Sequence, residues 1–230
     1  VRFSDLCILL TARDSKRLQE LYGGLPDTIR IPICLPEPEN ELRPGDPGTV
    51  HLFFLGSLWY ESNVKAVEWF LDYVWQPLQK AIPGTVFTVA GSRPSEDLRC
   101  RLSRETGVVL IPDFDSPSSI LERGGVFVAP ILVGAGMKVK VAEALSYGLP
   151  VAGSSEALEG YGELLSDPLS EGVVARADRP QDYLEFIRRV AGADPELIRS
   201  RAFTLYKKYY SYARCVEELG RVLLPGGEQS

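Results

Sequence analysis

Between Gly134 and Glu159 the chain reads GAGMKVKVAEALSYGLPVAGSSEALE, and the residues able to do chemistry crowd its first ten positions. Gly134 and Gly136 lack a Cβ, so the backbone there is free to adopt φ > 0 and to come close to a ligand. Lys138 and Lys140 put positive charge beside that loop. A helix starting near Met137 would aim its unpaired first-turn N–H groups at the same place. Glu143 falls on the second turn, a single acid near a basic site, which suits ribose hydroxyls better than phosphate. Ala144, Leu145 and the exit Gly148-Leu149-Pro150-Val151 then lead into an apolar strand. Loop, helix and buried strand in this order form a nucleotide-binding unit. Two simpler accounts compete with it. Paired glycines open many turns, and Lys140 and Glu143, three apart, can pair on a helix surface for about 0.2–0.5 kcal/mol. Neither accounts for glycines, cations and buried strand together. The third glycine of a dinucleotide fingerprint is missing, since Val139 stands there, which argues against a nicotinamide cofactor.

This run resembles the C-terminal, donor-binding half of the retaining GT-B glycosyltransferases of family 4, the group 1 type, and the resemblance covers most of the chain. In that family a glycine-rich loop leads to K-x-x-E-A and then G-x-P-V. Here the matching residues are Gly134, Gly136, Lys140, Glu143, Ala144, Gly148, Pro150 and Val151. The resemblance implies that the loop from Gly134 through Ala135, Gly136, Met137 and Lys138 holds the diphosphate of a sugar nucleotide, and that Glu143 contacts the ribose. It implies that Lys140 and Glu143 are the catalytic residues, with cations and helix N-terminal amides stabilising the departing nucleoside diphosphate. Members usually carry a second Glu eight positions before the first, where this chain has Ala135, although the branch with a G-x-G-x-K-x-K loop is closely similar.

The family also places an Arg and then a Lys after the glycine that ends the first strand of this domain. This chain has Gly56 and Ser57 there, then Ser62, Asn63 and a slightly displaced Lys65. The diphosphate is therefore left with Lys138, Lys140 and Arg93, which follows Ala90-Gly91-Ser92, unless Arg93 is only a solvated loop charge. The loop Ile111-Pro112-Asp113-Phe114-Asp115 resembles the one that brackets the base. Asp113 and Phe114 are its candidate contacts, with Phe114 either stacking on the base or plugging the core. Ser154, Ser155 and Glu156 read as a helix cap at the same edge. His51, the one histidine, starts an apolar strand and reads as structural.

Composition narrows the remaining classes. At 230 residues, 45% apolar and 24% charged, the chain has the make-up of a soluble globular protein. Its longest apolar runs, VHLFFL at 50–55 and GVFVAP at 125–130, are strand-sized, so membrane association is not evident. A net charge of −6 disfavours nucleic acid as a partner, with local basic clusters at Lys138/Lys140 and Lys207/Lys208. Four scattered cysteines with no C-x-x-C pair, and a single histidine, point to buried free thiols, a cytoplasmic location and no metal site. No Asp-x-Asp pair is needed if the cationic loop neutralises the diphosphate, so no cofactor is expected beyond a nucleoside diphosphate sugar, with UDP or GDP as its nucleotide.

The elements that must position these residues follow from periodicity. Strands are expected at 50–55, 85–90, 107–111, 125–130, 149–153 and near 172–175. Helices alternate with them: one capped by Asn63 and kinked or ended near Pro77, then 95–105, 117–122, 138–147 and 180–191. The crossover rule turns this into an α/β fold with a doubly wound, Rossmann-like parallel sheet, one half of a GT-B fold by the resemblance, carrying a partial N-terminal βαβ remnant. Residues 1–31 (LCILL, a helix over 14–22, then IRIPI) would be that acceptor-side remnant, 32–48 a proline-rich linker, and 49–194 the nucleotide-sugar-binding domain. In 195–230, helices would cross back to the N-terminal domain. The expected activity is hexosyl transfer, with the isolated chain binding donor but not turning over until an acceptor domain or partner subunit completes it. The alternatives are a catalytically silent nucleotide-binding or scaffold module and a GT-B sugar-nucleotide epimerase.

Overall fold

The computed structural model describes residues 5–23, 26–39 and 48–223. The apolar run near the start forms β1 (Leu6–Leu9), the helical spacing after it forms α1 (Ala12–Tyr22), and β2 (Asp27–Arg30) returns parallel to β1. Thr11 begins the helix by accepting the Asp14 N–H at 3.0 Å, and Gly23 ends it at φ 67°. The second strand is set earlier than IRIPI suggests. It stops at Arg30, ahead of Pro32, which has no N–H to give a ladder. Part of the proline-rich segment, with Pro44 and Pro47, lies outside the described residues, as do the last residues of the expected C-terminal segment.

The second unit alternates strand and helix. It runs β3 (His51–Leu55), α2 (Glu61–Phe70), a π-helical turn (Leu71–Trp75), α3 (Gln76–Ala81), β4 (Val86–Gly91), α4 (Glu96–Ser103) and β5 (Val108–Pro112). After these come α5 (Ser118–Leu121), β6 (Val126–Ala129), α6 (Val139–Ser146), β7 (Val151–Gly153), α7 (Gly162–Ser166), a 3₁₀ turn (Pro168–Ser170) and β8 (Val174–Arg176). Three helices close the described chain: α8 (Pro180–Ala191), α9 (Pro195–Tyr210) and α10 (Tyr212–Leu223). The six strands are parallel, in the order β5-β4-β3-β6-β7-β8. The chain winds outward from β3 to β5, then returns to the centre at β6. Strand order thus reverses between β3 and β6, which is where an open α/β sheet forms a crevice at its carboxyl ends.

Helices on both faces explain why Leu52, Phe53 and Phe54 of β3 are almost wholly removed from water. Phe70 and Phe87 pack with ring centroids 4.8 Å apart, and Trp75 and Tyr183 close the same cluster. Pro77 neither ends nor breaks its helix. A proline clashes with the carbonyl four residues back and offers no N–H to it, and the π turn just before it absorbs that mismatch within one continuous helix. Asn63 does not cap that helix, which begins at Glu61. At the other end of the chain, Leu35 forms a parallel bridge with Ser211, held by Leu35 N–H to Tyr210 O and Tyr206 Oη–H to Leu35 O, each at 2.8 Å. The four cysteines are free, but the expectation that they are buried fails: Cys100 is exposed on α4 and the others are half-buried.

Candidate functional site

The crevice at the reversal point is a cleft of about 480 Å³. It is lined by the ends of β3 (Leu55, Gly56, Ser57) and β4 (Gly91, Ser92), by Asn63, by Asp113 and Phe114, and by Met137, Lys138, Val139, Lys140 and Glu143. Eight of the residues singled out from sequence therefore meet here, though three chain segments far apart in sequence supply them. Arg93, Gly134, Ala135 and Gly136 stand outside the lining.

Lys140 reaches inward from the first turn of α6. Its ammonium donates to Asn63 Oδ1 at 2.7 Å and lies 4.3 Å from the centroid of the Phe54 ring. Asn63 in turn donates through Nδ2 to Ser57 O at 3.0 Å, so one amide fastens the lysine to the loop after β3. Gly56 makes the space: a Cβ there would stand 2.7 Å from the ammonium and 2.8 Å from Asn63 Nδ2. Lys140 is half-buried as a residue, but its charged end is the enclosed part. Burial brings it down to about 7, with Glu143 working against that shift and Lys138 with it. Glu143 is half-buried, and burial raises its carboxyl above the ordinary range, with Lys140 opposing. Among the described residues no side chain pairs with the Glu143 carboxylate, and Lys140 bonds Asn63, so the competing account of a Lys140–Glu143 ion pair does not hold.

The loop before α6 departs from expectation in one detail. Gly136 adopts φ 63°, a conformation that favours glycine, while Gly134 has no positive φ. The missing side chain at Gly134 serves a different end, since a Cβ would come within 2.9 Å of Lys138 Cε. Lys138 folds back over this loop, donating to Gly136 O at 2.8 Å and to Glu156 Oε1 at 2.9 Å. Helix α6 starts at Val139, and its lip is organised by Tyr161, fully buried, whose hydroxyl donates to Lys138 O at 2.7 Å and accepts the Ala142 N–H at 3.2 Å. The N–H groups of Val139 and Lys140, by their place in the first turn, have no intrahelical acceptor.

On the opposite wall, Arg93 and Asp113 both take left-handed backbone, at φ 52° and 50°, which costs about 1 kcal/mol or more for residues bearing a side chain. Asp113 Oδ1 accepts the Arg93 N–H at 2.9 Å and holds the two turns together. The Arg93 guanidinium lies 4.7 Å from the ring centroid of exposed Trp59, so it stacks at the rim rather than lining the cleft. Phe114 packs against the core, as one of its two expected roles requires, and also lines the cleft. Lys65 adds no charge to the cleft, being paired with Glu61 at 2.6 Å. Glu156 caps nothing: Ser154 Oγ accepts the Ala157 N–H at 3.1 Å in an isolated turn, while Glu156 bonds Lys138 and Arg13. Trp59, Tyr161 and Arg13 were not singled out from sequence, and Asn63 was read chiefly as a helix cap, because their partners lie in distant segments. Among the described residues no cluster of His, Cys, Asp or Glu is arranged to hold a metal ion, and no helix is long and apolar enough to cross a membrane.

The reversed sheet order, the loop–helix unit and the cleft between them define a doubly wound α/β unit with a crevice at the carboxyl ends of its strands. Residues 49–192 match the family described as Glycosyl transferases group 1, and the chain belongs to that family. Its fold is one half of the GT-B architecture. It superposes on the pneumococcal O-GlcNAc transferase GtfA, solved with UDP and GlcNAc, with a TM-score of 0.68 and 18% identity over 95% of this chain and 44% of that one. On the Anabaena protein HepE, solved with UDP and glucose, the TM-score is 0.70 at 14% identity, covering 96% of this chain and 63% of that one. A relative from Klebsiella pneumoniae, described as an uncharacterized 44.6 kDa protein in the cps region, is 28% identical over 119 residues, 49% of this chain. The chain covers 31% of that relative's length.

Proposed function

We propose that this chain carries the donor site of a retaining hexosyltransferase and binds a nucleoside diphosphate sugar in the cleft below α6. One observation carries the reading: an enclosed ammonium, Lys140, and a half-buried carboxylate with no side-chain partner among the described residues, Glu143, face one cleft at the point where strand order reverses. Buried polar groups of this kind are costly unless a ligand satisfies them. A diphosphate oxygen suits Lys140, and the ribose hydroxyls suit Glu143. Transfer breaks the bond between the anomeric carbon and the diphosphate. Negative charge then grows on the leaving oxygens, beside Lys140 and the open N–H groups of α6, where fixed donors stabilise the transition state more than the ground state. The two UDP-bound structural neighbours make UDP the first probe, and a cytoplasmic location suits such a donor.

The acceptor would come from further chain or from a partner subunit. Ile8, Leu10, Leu21 and Tyr22 of the N-terminal unit are exposed, as are Val216 and Leu223 of α10, and a two-stranded sheet with one helix leaves this much apolar surface open to a neighbour. A second reading, a silent nucleotide-binding module, is favoured by the thin charge complement, since Lys65 and Lys138 are both engaged by acids and Ala135 carries none.

Calorimetric titration with UDP, GDP and ADP, run beside a sugar-transfer assay, tests the donor site, which both readings share; transfer by this chain would rule out the silent module. Tight binding without transfer is the expected result for this chain. Binding of no nucleoside diphosphate would sink the donor site. Glu143→Gln, which keeps the shape but not the charge, should cost a ribonucleoside diphosphate on the order of 1 kcal/mol and its 2′-deoxy counterpart less. Equal losses would remove Glu143 from the ribose.

A further inference from the structure

We propose that Glu156 is a positioning residue shared between Lys138 of the donor loop and Arg13 of α1, so that docking of the N-terminal unit decides whether the Lys138 ammonium is available to an anion in the cleft. The identity of that anion rests on the donor-site reading above; the sharing itself does not.

A lysine ammonium has three N–H donors. Those of Lys138 point at Gly136 O at 2.8 Å, Glu156 Oε1 at 2.9 Å and, most weakly, Ala135 O at 3.4 Å. It therefore lines the cleft with its donors occupied. Two of its partners are neutral carbonyls, and among the described residues Glu156 is the acid paired with it.

Glu156 has a second cation. Arg13 Nη1 approaches both of its oxygens, at 3.3 and 3.1 Å, while Arg13 Nη2 donates to Glu159 Oε2 at 3.0 Å. Burial pushes the Glu156 carboxyl up, but the hydrogen bonds from Lys138 and Arg13 outweigh it and hold the group below its ordinary value, so it stays ionised at neutral pH. The contact is also packed. Thr11, at the start of α1, is buried, and a Cβ on Gly160 would come within 2.9 Å of Thr11 Cγ2 and 3.2 Å of Met137 Cγ. Gly160 thus lets α1 rest against the residue that leads into Lys138.

Two cations on one carboxylate compete. Every increment of Glu156 that Arg13 takes loosens its hold on Lys138, and Arg13 also offsets a local surplus of acid from Glu156 and Glu159. Withdrawal of α1 leaves Lys138 pinned and the rim one charge more negative, which disfavours a diphosphate.

The test uses the whole 230-residue chain. Affinities for UDP and for uridine are measured in wild type, Arg13→Ala, Glu156→Gln and the double variant. In parallel, with no nucleotide present, the rate at which an amine-reactive ester acylates Lys138 is followed by peptide mass mapping. Arg13→Ala should weaken UDP by about 2–5-fold and slow acylation, Glu156→Gln should tighten UDP by a similar factor and speed acylation, and Arg13→Ala should lose most of its effect once Glu156 is gone. Uridine should not respond. An Arg13 effect of equal size in both backgrounds, or a Lys138 rate that no variant moves, overturns the proposal. If wild type binds no UDP, the donor-site reading fails, and the acylation series by itself decides the sharing.

Discussion

Lys140 is a cation placed where a cation is disfavoured, between the Phe54 ring and an Asn63 amide, and burial holds it near 7. A bound diphosphate would reverse that bias by restoring the charged form. UDP binding should therefore take up a proton from about pH 7 to about pH 9, and none at about pH 5, where the ammonium is already charged. The same shift has a sign for stability. Its folded value lies below its unfolded one, so the empty protein carries the full penalty below about pH 7 and sheds it as the pH rises toward 10.5. Binding enthalpies measured in buffers of different ionisation heat should reveal the proton, and Lys140→Met should abolish it while weakening UDP by about 1.5–3 kcal/mol. A buffer-independent enthalpy at pH 8 would show that Lys140 does not meet the ligand. At this scale the sequence was readable where residues are contiguous, as with Met137, Lys138, Lys140 and Glu143, which line the cleft, although the preceding Gly134, Ala135 and Gly136 do not. It was unreadable where a side chain is claimed from afar. Asn63 looks like a helix cap, yet a lysine 77 residues on takes its oxygen, and Glu156 looks like a cap yet is bonded by Arg13 from 143 residues earlier. Local rules rank local partners only.

Helix α6 delivers the site, and a residue outside it sets its start. Tyr161 closes one backbone acceptor and one donor in that first turn with a single buried hydroxyl. Tyr161→Phe leaves both without that partner and should lower unfolding free energy by about 1–3 kcal/mol, read from denaturant titration. UDP should also bind less tightly, since Lys138, Val139 and Lys140 move with that turn. Full stability in the variant would show that water or the helix itself satisfies those groups. The parallel strands and most helices followed from apolar periodicity, because a strand buried on both faces must read as an apolar run. Two elements did not. The kink or end expected near Pro77 became a π turn inside a continuous helix, since the buried stripe through Phe70, Val74 and Trp75 holds the helix in place across the proline. The short α7 was missed, being five residues long and too brief for a periodic signal.

Across the whole molecule, the right-handed crossover implied a doubly wound sheet, and the structure orders its strands β5-β4-β3-β6-β7-β8, which puts the cleft at the centre of the sheet. What sequence did not convey was how the chain enters and leaves this unit. Leu35 and Ser211 lie side by side in one parallel bridge, so the path that leads into the six-stranded unit and the path that leaves it meet at a single point. A protein domain whose ends touch is portable. Residues 35–211 should behave as a cassette that can be spliced into a surface loop of an unrelated host without stretching either partner, because the host needs to open by little more than the spacing of neighbouring strands. Such a graft should melt as its own cooperative unit and bind UDP a few-fold more weakly than the parent, having left Arg13 behind. A graft that never folds would mean that the donor unit borrows stability from α1 or α10, and that the meeting of its ends is a seam rather than a border.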